Sequence, residues 1–144
     1  MKDRVLVLHG INLDALERRP AEHYGGLTFT LLERRIDGFA HELGLDARFF
    51  QSNHEGDYVE EIHKASDYAD GLLLNPGAWT HYAWALRDAV EVSGLPAVEV
   101  HLSDVMAREE FRRVSVFEGV CVAKVSGKGV DGYREALAAL KDVL

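Results

Sequence analysis

The sequence predicts a single α/β domain with a parallel sheet from three observations: its length, its short apolar runs and the helical segments between them. The 144 residues, 47% of them hydrophobic, suit one domain with one packed core. Apolar runs such as Arg4 to His9, Gly71 to Leu74 and Ala97 to Val100 are typical of buried parallel strands. Strands that alternate with helices favour a parallel α/β sheet.

The first predicted strand covers residues 4–9 and leads into a mixed, charged segment, residues 10–25. Because connections of this length are uncommon in compact domains, we expect this segment to be a lid or a binding loop. Residues 30–33 have capping-box spacing, and apolar residues then recur at helical spacing as far as Leu43. Gly44 marks the end of that helix.

The later segments continue the alternation. Residues 46–51 alternate between polar and apolar side chains and predict the second strand. Residues 52–56 predict a polar turn, and helices are predicted over residues 57–66, 80–92, 107–112 and 131–144, with strands over 71–74, 97–100 and 120–126. Five strands favour a flavodoxin-like, three-layer αβα fold over a complete Rossmann domain.

The charge balance limits the classes of partner. The net charge is −8, whereas proteins that bind nucleic acid or an anionic membrane normally present a basic face. We therefore expect neither partner. An anionic small molecule is compatible with this charge, because a few local arginines outweigh distant acidic groups. The candidates are Arg18, Arg19, Arg108, Arg112 and Arg113.

The single cysteine, Cys121, lies within the predicted strand 120–126 and is expected to be inert core. It has no intramolecular disulfide partner, which fits a reducing cytosol. The first residues lead straight into a strand without a signal-peptide pattern, and no apolar run approaches the length that spans a bilayer. These features predict a cytoplasmic protein.

Several common site motifs are absent from the sequence. It contains no GxGxxG after the first strand, no Walker A motif, no HExxH or CxxC-type metal spacing and no GxSxG elbow. Residues 10–12 and Asn75 stand where a response regulator needs acidic side chains. We therefore expect no dinucleotide, NTP or metal site of these kinds.

Polar side chains follow three of the predicted strands. Asn12 comes shortly after the first strand, Asn75 follows the third, and His101 follows the fourth. Ligands of open parallel sheets bind beyond the carboxyl ends of the strands. The sequence thus predicts a crevice for a small polar molecule, in which the carboxamides hold hydroxyl groups or a water.

Tyr24 lies in the long loop together with Arg18 and Arg19. A cation about 4 Å from a phenolate stabilises it by roughly 4 kcal/mol at an effective dielectric constant near 20. An arginine beside Tyr24 would therefore make the phenol a usable base near neutral pH. The alternative interpretation is a tyrosine packed at the edge of an exposed loop.

His101 is a candidate acid, because an imidazole can deliver a proton to a leaving group near neutral pH. Glu99, two residues earlier, points to the same face of the strand and is suited to orient the ring. The alternative interpretation is a structural histidine. Leu102 and Ser103 follow directly and offer backbone N–H groups and a hydroxyl to a carboxylate.

Six blocks, in order along nearly the whole chain, resemble segments of the type II 3-dehydroquinate dehydratases, a metal-free family. They are the opening VLVLHGINL (5–13), the lid RPAEHYG (19–25), and residues 51–56, 75–81, 99–112 and 127–137. The resemblance implies a hydro-lyase that converts 3-dehydroquinate to 3-dehydroshikimate without a cofactor, in aromatic amino acid biosynthesis or quinate catabolism. It also implies a homo-oligomer of trimers assembled to a dodecamer.

The resemblance also implies a role for each site residue. Tyr24 would take a proton from C2, and Arg19 would keep its phenol anionic. Asn12 would help to stabilise the enolate, and His101 would protonate the departing C1 hydroxyl. The implied substrate-binding residues are Asn75, His81, Leu102, Ser103 and Arg112, together with Asp88 contributed across a trimer interface.

The lid leaves the arginine partner of Tyr24 open between two neighbours. Pro20 follows Arg19 directly, whereas the family pattern has one residue between arginine and proline. Counting from Pro20 therefore selects Arg18, and counting from Tyr24 selects Arg19. We prefer Arg19, because the spacing from Asn12 to Tyr24 is kept.

Two rival functions fit the same fold. A non-catalytic flavodoxin-like module would bind a polyhydroxylated carboxylate and convert nothing. A flavin-binding redox protein would need a phosphate-cradling loop after the first strand, and residues 10–14 make a poor one. Outside the lid, the chain departs from the family pattern at His9, Ile11, Asp14 and Asp104.

Overall fold

The computed structural model describes residues 1–24 and 26–144. Within them, five parallel strands form one sheet in the order β2-β1-β3-β4-β5, which confirms the predicted α/β fold and its flavodoxin-like winding. The strands are β1 (Arg4–His9), β2 (Asp46–Gln51), β3 (Gly71–Asn75), β4 (Ala97–His101) and β5 (Ala123–Ser126).

Helices cover both faces of the sheet and complete three layers. Helices α2 (Phe29–Glu42) and α5 (Asp131–Lys141) pack on one face, and α3 (Glu55–Ala65) and α4 (Trp84–Ser93) pack on the other. A single helical turn, α1 (Ala21–Tyr24), lies in the segment between β1 and α2. Across the part of the chain that the structure describes, none of the helices has the length and apolar character needed to cross a membrane.

The central strands are apolar on both faces because helices cover both faces. Val7 of β1 and Leu73 of β3 belong to the core beneath α2 and α5. Their neighbours along the strands, Leu8 and Leu74, belong to the core beneath α3 and α4. The alternation of side chains along a strand thus divides one apolar run between two cores.

The segment after β1 contains more regular structure than predicted. Leu13–Arg18 forms 3₁₀ turns, and α1 follows. The last residue of the predicted loop, Gly25, lies outside the described residues. The cap of α2 is Thr28 rather than a residue of the predicted capping box, because Thr28 is extended and its Oγ1 accepts a hydrogen bond from Leu31 N at 3.1 Å.

The helix predicted over residues 80–92 is shorter than expected. It begins as α4 at Trp84, and a separate 3₁₀ turn, Gly77–His81, precedes it. Tyr82 separates the two, because its φ of −153° is extended rather than helical. The break places His81 at the end of its own turn, beside the cleft described below.

The prediction of a short helix over residues 107–112 is wrong. Two 3₁₀ turns, Val105–Ala107 and Glu110–Arg113, replace it. Arg108 is the C-cap of the first turn and has an extended backbone, with φ −106° and ψ −162°, which a continuous helix does not allow. This bend directs Arg108 and the second turn towards the same cleft.

The last strand begins later than the predicted residue 120. The N–H groups of Val120 and Cys121 both donate to the Phe117 carbonyl, so these residues form a turn before β5 starts at Ala123. Cys121 is therefore a half-buried turn residue and not mid-strand core, which corrects the prediction. Burial raises the pKa of its thiol to about 12.

The loops that follow β1 and β3 are joined backbone to backbone. Gly10 N donates to the Asn75 carbonyl at 2.8 Å. A Cβ on Gly10 would lie 2.2 Å from the Pro76 carbonyl oxygen, and one on Gly77, whose φ is +66°, would lie 2.7 Å from the Ile11 carbonyl oxygen. Only glycine permits this approach at either position.

We expect Gly10→Ala to lower the free energy of unfolding by about 2 kcal/mol, because the added methyl forces two backbones apart. The control is Gly38→Ala in α2, where, apart from the adjacent residues and the helix's own backbone, no described residue places a heavy atom within 4 Å of the new Cβ. Alanine there should stabilise the protein by up to about 1 kcal/mol. Chemical denaturation at neutral pH measures both variants, and equal stabilities would contradict the packing argument.

Candidate active site

A cleft of about 310 Å³ lies beyond the carboxyl ends of β1, β3 and β4. This is the position at which open α/β sheets bind ligands. The segments that follow these three strands line it: the one between β1 and α2, the one between β3 and α4, and the one after β4. The predicted site residues in its lining are Asn12, Arg19, Tyr24, Asn75, His81, His101, Leu102, Ser103 and Arg112.

The phenol of Tyr24 lies between two guanidinium groups. Arg19 Nη2 donates to Tyr24 Oη at 2.7 Å, and Arg108 Nη1 donates to the same oxygen at 2.8 Å. The guanidinium carbons lie 4.5 Å and 5.5 Å from the ring centroid. Because guanidinium groups only donate, the oxygen accepts from both, and two positive charges lie beside it.

The structure distinguishes Arg18 from Arg19 by their positions at the end of the 3₁₀ turn Leu13–Arg18. Arg18 ends that turn with an exposed side chain. Arg19 leaves the turn with an extended backbone, at φ −88° and ψ 153°, and its half-buried side chain meets Tyr24. The structure therefore places Arg19, the preferred residue, against the phenol.

The imidazole of His101 is held by a buried carboxylate. His101 Nε2 lies 2.5 Å from Glu99 Oε2, which also accepts from Thr80 Oγ1 at 2.6 Å. The other oxygen, Oε1, accepts from Ser115 Oγ at 2.7 Å. Since a carboxylate only accepts, Nε2 carries a hydrogen, and Nδ1 is the ring nitrogen that can serve a ligand.

The Glu99 carboxylate stays ionised although it is 1% exposed. Burial by itself raises the pKa of Glu99. The hydrogen bond and charge of His101, with the hydrogen bonds of Ser115 and Thr80, outweigh burial and hold that pKa below its ordinary value. An ionised Glu99 in turn orients the imidazole of His101 through the hydrogen bond to Nε2.

The hydrogen bond of His81 to the backbone identifies its tautomer. His81 Nδ1 lies 2.7 Å from the Val114 carbonyl oxygen, which only accepts, so Nδ1 carries the hydrogen. Burial is the main cause that lowers the pKa of His81, and the charge of His101 acts in the same direction. The neutral ring therefore offers Nε2 as an acceptor, for example to a hydroxyl group.

Hydrogen bonds fix the side chain of Asn75 but only the backbone of Asn12. Asn75 Oδ1 accepts from Gly77 N at 3.2 Å, and its Nδ2 donates to the buried Tyr133 hydroxyl at 2.8 Å. Asn12 has a left-handed backbone, with φ 70°, and its N–H donates to Asn53 Oδ1 at 2.8 Å. That backbone bond leaves the carboxamide of Asn12 at the edge of the cleft.

The cleft also holds a local excess of positive charge. Arg19, Arg108 and Arg112 all line it in a chain whose net charge is −8. Arg108 Nη1 reaches Ser103 Oγ at 3.3 Å as well as the phenol, and Arg112 Nε is paired with Glu109 at 2.8 Å. This lining suits a ligand that carries a carboxylate.

The arrangement places a candidate base and a candidate acid in one cleft. A phenol flanked by two cations is suited to remove a proton from carbon, and an imidazole paired with a carboxylate is suited to protonate a leaving oxygen. The carboxamides and His81 add neutral hydrogen-bonding groups, and the arginines add a site for an anion. Together these groups are suited to an elimination reaction on a hydroxylated carboxylate.

Comparison with known proteins gives the family. The family model described as "Dehydroquinase class II" matches residues 3–141. The 3-dehydroquinate dehydratase of Caldicellulosiruptor saccharolyticus is 46% identical over 142 residues, which cover 98% of both chains. The crystal structure of the type II dehydroquinase from Butyrivibrio crossotus has a TM-score of 0.92 and 39% identity, covering 97% of this chain and 98% of that one. The corresponding values for Propionibacterium acnes are 0.90 and 39%, with coverage of 99% and 98%.

The chain belongs to the class II dehydroquinase family. The family predicted from the six sequence blocks is thus confirmed, and so is the prediction of an enzyme of the hydro-lyase type. The cleft described above is the candidate active site of this dehydroquinase chain.

Four departures from the family pattern lie outside the cleft lining of this dehydroquinase. His9 is fully buried, with its ring stacked on Phe49 and its edge against Phe29. Asp14 accepts from Asn53 Nδ2 at 3.1 Å. The other two are Ile11, packed against the core beneath α3 and α4, and Asp104, which caps the following 3₁₀ turn.

Asp88 is the one predicted site residue that does not line the cleft of its own chain. It lies on α4 with an exposed side chain. A contribution across a subunit interface, as the resemblance implies, stays a prediction.

Sequence reasoning missed several contacts that support the site. Arg108 was only one of five candidate arginines, although it reaches Tyr24 across 84 residues of sequence. Thr80, Ser115 and Tyr133 were not predicted to act, and each reaches its partner through a long-range contact. Patterns in a single sequence relate residues that are only a few positions apart, so no pattern indicated these pairs.

The pKa of Glu99 predicts a pH-dependent stability. Because it lies below the unfolded value of about 4.5, the ionised group stabilises the fold above that pH, and this contribution is lost as pH falls further. Glu99→Gln should be less stable by about 2 kcal/mol at neutral pH, since hydrogen bonds to charged groups contribute about 1.5–3 kcal/mol. The difference from wild type should shrink below pH 4.5.

Denaturation between pH 3 and pH 8 measures this difference, with Glu60→Gln as the control at an exposed position of α3. A difference that stays constant down to pH 3 would show that the charge of Glu99 does not stabilise the fold.

Proposed function

We propose that this chain removes water from 3-dehydroquinate to give 3-dehydroshikimate through an enolate intermediate. The observation that carries the proposal is the Tyr24 hydroxyl held by two guanidinium groups in the same cleft as the His101–Glu99 pair. The relative from Caldicellulosiruptor saccharolyticus, 46% identical, is named 3-dehydroquinate dehydratase. The reaction would serve aromatic amino acid biosynthesis or quinate catabolism.

The first step uses Tyr24 as the base. Its phenolate takes a proton from C2, which lies next to the C3 carbonyl. The electron pair of the broken C–H bond moves to the carbonyl oxygen and forms the enolate. Arg19 and Arg108 stabilise the phenolate before the transfer, and Asn12 stabilises the developing charge on the enolate oxygen.

The second step uses His101 as the acid. The enolate re-forms the C3 carbonyl, the C1–C2 double bond forms, and the C1–O bond breaks as His101 protonates the departing hydroxyl. Water is released, and the proton held by Tyr24 returns to His101 through solvent. Glu99 keeps the imidazole oriented and protonated for this transfer.

Binding is divided between neutral and charged groups. We assign the substrate carboxylate to Ser103, the backbone N–H of Leu102 and Arg112, at the cationic side of the cleft. His81, whose Nε2 accepts, is assigned to a ring hydroxyl, and Asn75 to a hydroxyl beside the carboxylate. These groups fix the ring so that C2 faces Tyr24.

The main test is Tyr24→Phe, which removes only the phenolic oxygen. We expect the variant to fold and assemble normally but to lose kcat by at least about a hundredfold, since general bases contribute about 10²–10⁴-fold. Formation of the product enone, followed by ultraviolet absorbance, measures the rate. Tyr68→Phe is the control, because its hydroxyl bonds to Glu61 outside the cleft.

Near-normal kcat in Tyr24→Phe would show that Tyr24 is not the base. If the wild type binds 3-dehydroquinate but produces no enone at high enzyme concentration, the rival interpretation of a non-catalytic binding module is correct.

We also propose that the chain acts as a homo-oligomer in which Asp88 reaches a neighbouring cleft. Trp84 and Asp88 are one helical turn apart on α4, and both are exposed. Trp84 is 63% exposed and the preceding Tyr82 is 58% exposed, which is unusual for large aromatic side chains that no partner covers. The resemblance implies trimers assembled to a dodecamer.

Sedimentation velocity tests this assembly with Trp84→Glu and Asp88→Asn. A charge in an apolar interface should dissociate Trp84→Glu, whereas Asp88→Asn should keep the assembly and raise KM. Leu31→Glu is the control, on α2 at the opposite face of the sheet. A monomeric wild type with full turnover would contradict the proposal.

A further inference from the structure

The carboxamide of Asn75 is held from inside the protein by a tyrosine of α5. Tyr133 is fully buried, and its hydroxyl lies 2.8 Å from Asn75 Nδ2. Its ring belongs to the core beneath α2 and α5, so packing fixes its position. Asn75 is itself 5% exposed, at the end of β3, and lines the cleft.

The hydrogen bonds around Asn75 determine which way its amide points. The backbone N–H of Gly77 only donates, so the group that it meets at 3.2 Å is Oδ1. Nδ2 is then on the side of Tyr133, whose hydroxyl accepts its hydrogen. One hydrogen on Nδ2 and one lone pair on Oδ1 are left to serve a ligand.

We propose that Tyr133 is a positioning residue, which fixes the orientation in which Asn75 presents its carboxamide to a hydroxyl of the substrate. The inference rests on the proposed function and adds a residue that does not itself line the cleft. Without the phenolic oxygen, a buried Nδ2–H loses its acceptor, and such groups are costly to leave unpaired. The amide then turns towards another partner at the expense of its bond to the ligand.

The neutral state of Tyr133 makes it a suitable support. Burial raises the pKa of its hydroxyl, so the group stays protonated across the physiological range and presents the same acceptor at every working pH. The hydrogen bond that it receives from Asn75 therefore does not depend on pH in that range.

Tyr133→Phe tests the proposal, because it keeps the ring in the core and removes only the acceptor. We expect KM for 3-dehydroquinate to rise about tenfold, with kcat changed by less than about threefold, the pattern of lost ground-state binding. Tyr58→Phe is a closely matched control. Tyr58 is also fully buried, and its hydroxyl bonds to the Leu8 carbonyl at 2.9 Å, outside the cleft.

Both phenylalanine variants remove one buried hydroxyl and should lower the melting temperature. Only Tyr133→Phe should change KM, which separates positioning from general stability. A wild-type KM in Tyr133→Phe, or an equal rise in Tyr58→Phe, would overturn the proposal.

A double-mutant cycle with Asn75→Ala tests whether Tyr133 acts through Asn75. If it does, Tyr133→Phe adds no further rise in KM once Asn75 is alanine. Two independent, multiplying effects would overturn the proposal, and the proposed function would stand. A wild type that forms no enone would overturn the proposed function instead. The same double-mutant cycle is then measured through the Kd of 3-dehydroquinate, determined by calorimetry. A wild type that does not bind 3-dehydroquinate would overturn both proposals.

Discussion

One backbone hydrogen bond, from Gly10 N to the Asn75 carbonyl, joins the two loops on which the cleft is built. It extends the pairing of β1 and β3 by one step beyond the sheet. At this point the chains are so close that a Cβ at position 10 would overlap the Pro76 carbonyl, so the position requires a glycine. Asn12 then has a left-handed backbone, and Asn75 keeps its side chain at the floor of the cleft. The Asn75 carboxamide and the Asn12 backbone thus have fixed positions before any ligand arrives, and this preorganisation lowers the entropic cost of binding.

The electrostatics of the cleft are local. The chain carries a net charge of −8, yet three guanidinium groups line the cleft. These groups dominate the electrostatic potential in the cleft, because charges more than about 8 Å away are largely screened in physiological salt. The buried carboxylate of Glu99 is tolerated because three side chains, those of Thr80, His101 and Ser115, donate hydrogen bonds to it. The groups proposed as acid and base are therefore hydrogen-bonded to charged neighbours at short distance, independently of the overall charge.

Strands β1, β3 and β4 were predictable because each is a short apolar run, and β2 was predictable because polar and apolar side chains alternate along it. The observed bounds of β1 and β2 agree with the predicted residues 4–9 and 46–51. Errors arose where a local turn interrupts an apolar run, as at Val120 and Cys121, whose N–H groups both donate to the Phe117 carbonyl. For the site, the side chains at strand ends were predictable, because the topology alone brings them together.

The partners of those side chains were not predictable. They show that each of the two cores supports a different part of the site. Tyr24 and Tyr133 pack with the core beneath α2 and α5, so this layer holds the proposed base and supports Asn75. The groups that hold His101 come from the other layer, because Thr80 follows buried Trp79 and Ser115 precedes buried Val116 in the core beneath α3 and α4. Base and acid are thus fixed by opposite faces of one sheet and meet only beyond its strand ends. A change in the core beneath α3 and α4 that displaces Thr80 or Ser115 should therefore weaken the support of His101 and leave that of Tyr24 in place.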